Sequence, residues 1–125
     1  MKRIISTPNA PGAIGPYSQG IAVGNLRFFS GQIPLTATGE LISTDITAET
    51  RQVMKNIGEL LKAEGLTFDD VIKTTVFLKT MDDFKTVNEE YAKYFGETPP
   101  ARSCVAVCGL PRGCNVEIEV IACKQ

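Results

Sequence analysis

Arg102, Cys104, Glu117 and Glu119 are the residues whose types and spacing folding alone explains least. They lie in the stretch from Pro99 to Glu119, PPARSCVAVCGLPRGCNVEIE. Two prolines set an extended lead-in, and Arg102 opens RSCVAVC, an alternating run of small and β-branched residues that predicts a strand. Beyond the turn signal Gly109-Leu110-Pro111-Arg112-Gly113, a second run, CNVEIEVIAC, puts Val116, Ile118, Val120 and Ala122 on one face. Glu117, Glu119, Ile121 and Cys123 fall on the other. A four-residue loop from Gly109 to Arg112 would join the runs as a hairpin, with Cys104 opposite Glu117 and Arg102 opposite Glu119, Cβ atoms about 4.5–5.5 Å apart. A slip of one residue would move Arg102 to the other face. Two chemistries are then open. One is a cross-strand ion pair on a solvated face. The other is a guanidinium that grips a substrate carboxylate bidentately, beside a carboxylate that handles a proton or a water.

The elements that must position these groups are legible along the chain. KRIIS at residues 2–6 is short and β-leaning, and TPNAPGAIGP after it is a Pro- and Gly-rich loop, long enough to cover or line something, closed by Tyr17. Gln19 to Val23 and Leu26 to Ile33 favour strand around a two-residue Gly24-Asn25 turn. Ser30 and Gly31 then sit near a strand end, where glycine marks a bulge or a close backbone approach. Ile46, Val53, Ile57, Leu60 and Leu61 form a stripe at helical spacing, which predicts a helix from about Ile46 to Glu64, with Asp45 or Thr47 as cap and Gly65 beyond its end. Its other face, Glu49, Arg51, Lys55, Glu59 and Lys62, is expected to be solvated. Val71 to Lys79 is near-continuously apolar and predicts a central strand. A second helix is expected from about Asp82 to Phe95, with a stripe of Phe84, Val87, Asn88, Tyr91 and Phe95. Asn88 is the anomaly, since an amide in an apolar stripe must find partners or cost about 1–3 kcal/mol. The order of elements, with a hairpin at each end, predicts an α+β fold with two helices on one face of a mixed sheet.

Length and composition narrow the function. A chain of 125 residues is read as one domain spanning 1–125, large enough for a core of its own. Its apolar runs fall far short of the ~18 residues of a membrane span. MKRIISTPNAPG has basic residues but no apolar region behind them, so no secretory signal is expected and a cytoplasmic protein is the default. Lys and Arg number 13 against 14 Asp and Glu, with no basic block, which disfavours electrostatic binding of nucleic acid. The four cysteines, at 104, 108, 114 and 123, read as small buried hydrophobes in a cytosolic chain. With no histidine and no CxxC spacing, a metal site is not expected.

Five stretches in one order carry a resemblance. They are Ala13-Ile14-Gly15-Pro16-Tyr17 with Gln19-Gly20; Ser30-Gly31-Gln32-Ile33-Pro34; Lys73-Thr74-Thr75-Val76-Phe77 with Asp83-Phe84 and Asn88; Pro100-Ala101-Arg102-Ser103-Cys104-Val105; and Leu110-Pro111 with Val116-Glu117-Ile118-Glu119. Over essentially its whole length the chain resembles the RidA/YjgF family, the reactive intermediate (enamine/imine) deaminases. The resemblance implies a chorismate-mutase-like fold, a mixed six-stranded sheet with two helices on one face, assembled as a homotrimer. It implies an enzyme without cofactor or metal that hydrolyses 2-iminobutanoate and 2-iminopropanoate, released by pyridoxal-phosphate enzymes, to 2-keto acids and ammonia.

On that reading Arg102 holds the substrate carboxylate, and Glu117 positions or deprotonates the attacking water or passes a proton to nitrogen. Tyr17, the Ser30 hydroxyl, main-chain groups at Gly31 and Cys104, and Asn88 line the pocket. The Cys104 thiol is not needed as a nucleophile. Burial would raise the Glu117 pKa and a nearby Arg102 would oppose that. The site is expected in clefts between subunits, with Arg102 and Glu117 of one chain facing residues lent by its neighbour, such as Tyr17 or Asn88. Two alternatives are carried: an endoribonuclease, and a non-enzymatic regulator that binds 2-keto acids. Arg102 would serve the regulator as well as the enzyme, and Glu117 discriminates between them.

Overall fold

The computed structural model describes residues 1–125. Six strands, β1 (Arg3–Ile5), β2 (Gly20–Val23), β3 (Leu26–Gln32), β4 (Val71–Leu78), β5 (Ala101–Ala106) and β6 (Val116–Cys123), form one mixed sheet in the order β1-β2-β3-β6-β4-β5. Two helices, α1 (Ile46–Ala63) and α2 (Phe84–Ala92), are the longest other elements. This is the expected α+β architecture with both helices on one face. No helix is long and apolar enough to cross a membrane.

Local chemistry accounts for most boundaries. Asp45 caps α1, its Oδ1 accepting from the Ala48 N–H at 2.8 Å, and Gly65 follows the helix at φ 71°, a left-handed conformation that glycine adopts without Cβ strain. The predicted stripe of α1 is borne out, for Val53, Ile57, Leu60 and Leu61 are buried. They pack on the inward residues of β6, Val116, Ile118, Val120 and Ala122, all buried as the alternation required. Gly24, at φ 55°, turns β2 into β3. The expected helix from Asp82 begins as a tight turn, Met81–Asp83, and α2 proper stops at Ala92, three residues short of Phe95.

Two expectations are overturned. The hairpin of β5 and β6 does not exist. Strand β6 lies antiparallel between β3 and β4, so both of its edges are filled, and β5 instead pairs parallel with the free edge of β4 through the crossover helix α2. The expected tight loop is a turn at Pro111–Gly113 in which Arg112 has φ 60°. Glu49 is not solvated either. It is 2% exposed and accepts from the Asn115 N–H at 3.1 Å and from Asn115 Nδ2 at 2.8 Å, which ties α1 to the entry of β6. A buried carboxylate is tolerable where it accepts such bonds.

The cysteines also divide differently from the expectation: Cys114 is buried, Cys104 and Cys123 are partly covered, and Cys108 is exposed, all as free thiols.

Candidate active site

The sheet has a helix-covered face and an open face, and the sequence-predicted site residues divide between them. Along β4, Thr74, Val76 and Leu78 are buried beneath the helices. Their β5 partners are Arg102, Cys104 and Ala106, so Arg102 and Cys104 project on the helix side at the sheet edge. Glu117 and Glu119 pair with Phe77 and Thr75 and project on the open side. Arg102 and Glu117 therefore stand on opposite faces, with β4 between their strands. The expectation that both belong to one wall of one chain is corrected by this topology.

Arg102 is held from α2. Its Nη1 donates to Asn88 Oδ1 at 2.6 Å, and its guanidinium carbon lies 5.0 Å from the Tyr91 ring centre and 5.7 Å from that of Phe84. The anomalous amide of the apolar stripe thus has its partner. No carboxylate of the chain lies within ion-pairing distance of Arg102. A recess of about 410 Å³ opens beside it, lined by Asn88, Tyr91, Phe95 and Pro99 among others. Burial pushes up the Cys104 thiol, with the Arg102 charge opposing, so the thiol is a poor nucleophile.

The Glu117 side is built on a bulge. The β3–β6 register shifts between Phe29 and Gln32, and Gly31 within it lies directly under the Glu117 carboxylate, where any Cβ would overlap the carboxylate oxygen. This is the physical reason for glycine after Ser30. Glu117 has no hydrogen bond or ion pair within the chain. Burial first, and Glu119 on the same face second, push its carboxyl above the usual carboxylate range. Arg102 is too remote to oppose that rise. A second recess of about 410 Å³ is lined by Tyr17, Ser30, Gly31 and Glu117, with Ile14, Ile33 and Pro111 as apolar walls.

The loop that forms this recess is fixed by residues that sequence reasoning missed. Gln19, 5% exposed, accepts from the Thr7 N–H at 2.7 Å and donates to the carbonyls of Thr7 at 3.1 Å and Pro11 at 2.8 Å. Asn56, on α1, donates to the carbonyls of Ile33 and Leu35 at 3.2 and 2.8 Å. The Ser30 hydroxyl donates to the Ser18 carbonyl at 2.6 Å, so its proton is engaged in holding Tyr17's neighbour. The signal for Asn56 was a polar residue next to Ile57 in the helix stripe; Gln19 stood among the residues that carry the family resemblance, but nothing in its spacing pointed to a loop anchor.

One chain thus offers two half-sites: a cation with no anionic partner beside aromatic rings, and a half-buried carboxylate with no cationic partner above a glycine bulge. A family model described as endoribonuclease L-PSP matches residues 7–124. The RutC family protein PH0854 of Pyrococcus horikoshii is 53% identical over 126 residues, covering 100% of both chains. The human 2-iminobutanoate/2-iminopropanoate deaminase is 48% identical over 123 residues, 98% of this chain and 90% of the human one. Among solved structures, Escherichia coli TdcF with bound serine superposes with a TM-score of 0.93 at 45% identity, covering 98% of this chain and 99% of that one. With a family match over nearly its full length and relatives near half identity, the chain belongs to the endoribonuclease L-PSP family, which is the RidA/YjgF family.

Proposed function

We propose that the protein is a cytoplasmic hydrolytic deaminase of 2-enamino and 2-imino acids, acting on 2-iminobutanoate and 2-iminopropanoate as a homotrimer with its sites in the clefts between subunits. The observation that carries this reading is the pair of incomplete half-sites. Arg102 of one subunit and Glu117 of the next complete each other if the open face of one chain meets the β5 edge of its neighbour. The open face suits burial by another copy: Ile4, Ile21, Phe28 and Ile121 form a cross-strand row on it, with Ile4 63% and Phe28 40% exposed.

Within such a cleft the Arg102 guanidinium fork holds the substrate carboxylate. An enamine takes a proton at C3 to become the imine. Water then adds its oxygen to C2 while Glu117 takes the proton, and the same carboxyl, now protonated, delivers that proton to nitrogen. The C2 hydroxyl then gives its own proton, through the same carboxylate, to nitrogen; the C–N bond breaks, ammonia leaves with three hydrogens, and the oxygen on C2 becomes the keto oxygen. A carboxyl whose pKa burial raises is a stronger base than an ordinary carboxylate and can both take the proton and return it. Tyr17, Ser30 and Gly31 shape the wall around that water, while Asn88 fixes Arg102 and β5 main-chain groups at Cys104 lie along the edge of the cleft.

The unpartnered, half-buried Glu117 favours an enzyme over a regulator that merely binds 2-keto acids, since binding a carboxylate does not need a second carboxylate nearby. The family's name includes an endoribonuclease, but a chain with no histidine and no basic block supplies neither the usual general base nor a phosphate-binding patch. The deciding experiment generates 2-iminobutanoate with a threonine dehydratase and follows its decay with and without the protein. Acceleration that scales with protein concentration supports the reading, and an unchanged decay rate refutes it.

A further inference from the structure

Arg102 is held by more than Asn88. Its guanidinium faces the Tyr91 ring at 5.0 Å and the Phe84 ring at 5.7 Å, both within the range of a cation over an aromatic face. Tyr91 is itself buried and fixed by two partners. It is 7% exposed, its hydroxyl shares a 2.7 Å hydrogen bond with the buried Thr74 hydroxyl, and its ring packs on Phe95 at 4.7 Å between centres. Thr74 is the β4 residue paired with Arg102, so the same strand position that places Arg102 also anchors the ring beneath it. The residue types are specific to this task. A buried apolar stripe needs no hydroxyl at Tyr91, and Thr74 is a buried polar residue in the middle of the interior strand β4. Together they remove the rotation that would let the ring tilt away from the cation.

We infer that Tyr91 is a positioning residue for the carboxylate clamp, an aromatic platform locked by Thr74 that pre-orients the Arg102 guanidinium so that its remaining N–H groups can meet a substrate carboxylate. This rests on the proposed deaminase reading for its substrate but not for its geometry. A long arginine side chain at an exposed sheet edge samples many rotamers, and fixing it before binding removes that entropic cost from the binding step. Because the clamp grips the carboxylate before and during the reaction, the platform contributes to binding in ground and transition states alike. Its loss is therefore expected to raise KM and leave kcat little changed.

The test keeps the ring's shape and changes its charge distribution. Tyr91 is replaced by phenylalanine and then by phenylalanines of increasing ring fluorination, which weaken the negative face of the ring. Each protein is titrated with 2-oxobutanoate, its kcat and KM for 2-iminobutanoate are measured, and the Arg102 Nε–Hε resonance of the free protein is followed by NMR, assigned with Arg102→Lys. Relative to Tyr91→Phe, affinity for 2-oxobutanoate is expected to fall stepwise with fluorination to about tenfold, with KM rising in parallel, kcat within about twofold, and the Arg102 Hε resonance losing its order. Flat affinity across the series, or an Arg102 resonance that ignores the ring, overturns the inference. If no variant, nor the wild type, hydrolyses the imine while the Arg102 resonance still follows the ring, the deaminase reading has failed and the platform stands.

Discussion

Mixing two inactive variants tests where the two halves of the site come from. The perturbations are Arg102→Ala, which removes the cation, and Glu117→Gln, which removes the carboxylate while keeping its shape. Within one chain the two residues cannot converge. Arg102 pairs with Thr74 and Glu117 with Phe77, so they are displaced three residues, about 10 Å, along β4 and two strand spacings, about 10 Å, across it, on opposite faces. If each cleft takes Arg102 from one subunit and Glu117 from the next, an equal mixture of the two variants reassembles at random. A cleft is whole when its Arg102 comes from a Glu117→Gln chain and its Glu117 from an Arg102→Ala chain, each with a chance of one half. About a quarter of wild-type activity is then expected from parents that have essentially none. The assay is 2-iminobutanoate decay after joint unfolding and refolding, with the mixed trimers verified by mass spectrometry of differently tagged chains. Verified mixed trimers no more active than their parents would refute the shared cleft.

The remaining predictions address single residues. Glu117→Gln is expected to bind 2-oxobutanoate but lose turnover at least a hundredfold, measured by calorimetry and kinetics. Because the Glu117 carboxyl is raised in the folded chain, the folded state holds its proton to higher pH than the unfolded chain does. Its ionisation thus removes stability as pH rises from the ordinary carboxylate range through the raised value, and turnover needing the carboxylate falls as pH drops through that value; Glu117→Gln should flatten both profiles in pH titrations of Tm and rate. Gly31→Ala places a Cβ against the mobile end of the Glu117 side chain rather than against backbone, so Tm is expected to change little while activity is lost, read by thermal melts and imine decay. Glu49→Ala leaves the two Asn115 donors without their acceptor and is expected to cost about 1–3 kcal/mol of stability in denaturant unfolding, with Arg102 and Glu117 untouched.

Periodicity by itself determined which residues of β6 face the core and which carry carboxylates outward, because side chains alternate along any strand whatever its neighbours. The stripe and caps of α1, the Gly24 turn and the interior position of β4, paired on both edges though next to the sheet's last strand, were equally local, and so were legible. Pairing was not. Alternation assigns a side chain to a face but never names the strand alongside, and the sequence neighbours β5 and β6 were free to pair until β3 and β4 had filled both edges of β6. A trace of that outcome was present in β5, whose small and polar residues suit an edge strand. The same limit governed the site. Arg102, Glu117, Tyr17, Ser30, Gly31 and Asn88 could be chosen from the sequence by their types and their resemblance to a family, but their division into two half-sites followed from strand order alone. Burial of Glu49 and the platform role of Tyr91 were likewise decided by tertiary structure, because each depends on a partner, Asn115 or Arg102, that only the folded sheet brings within hydrogen-bonding or stacking distance.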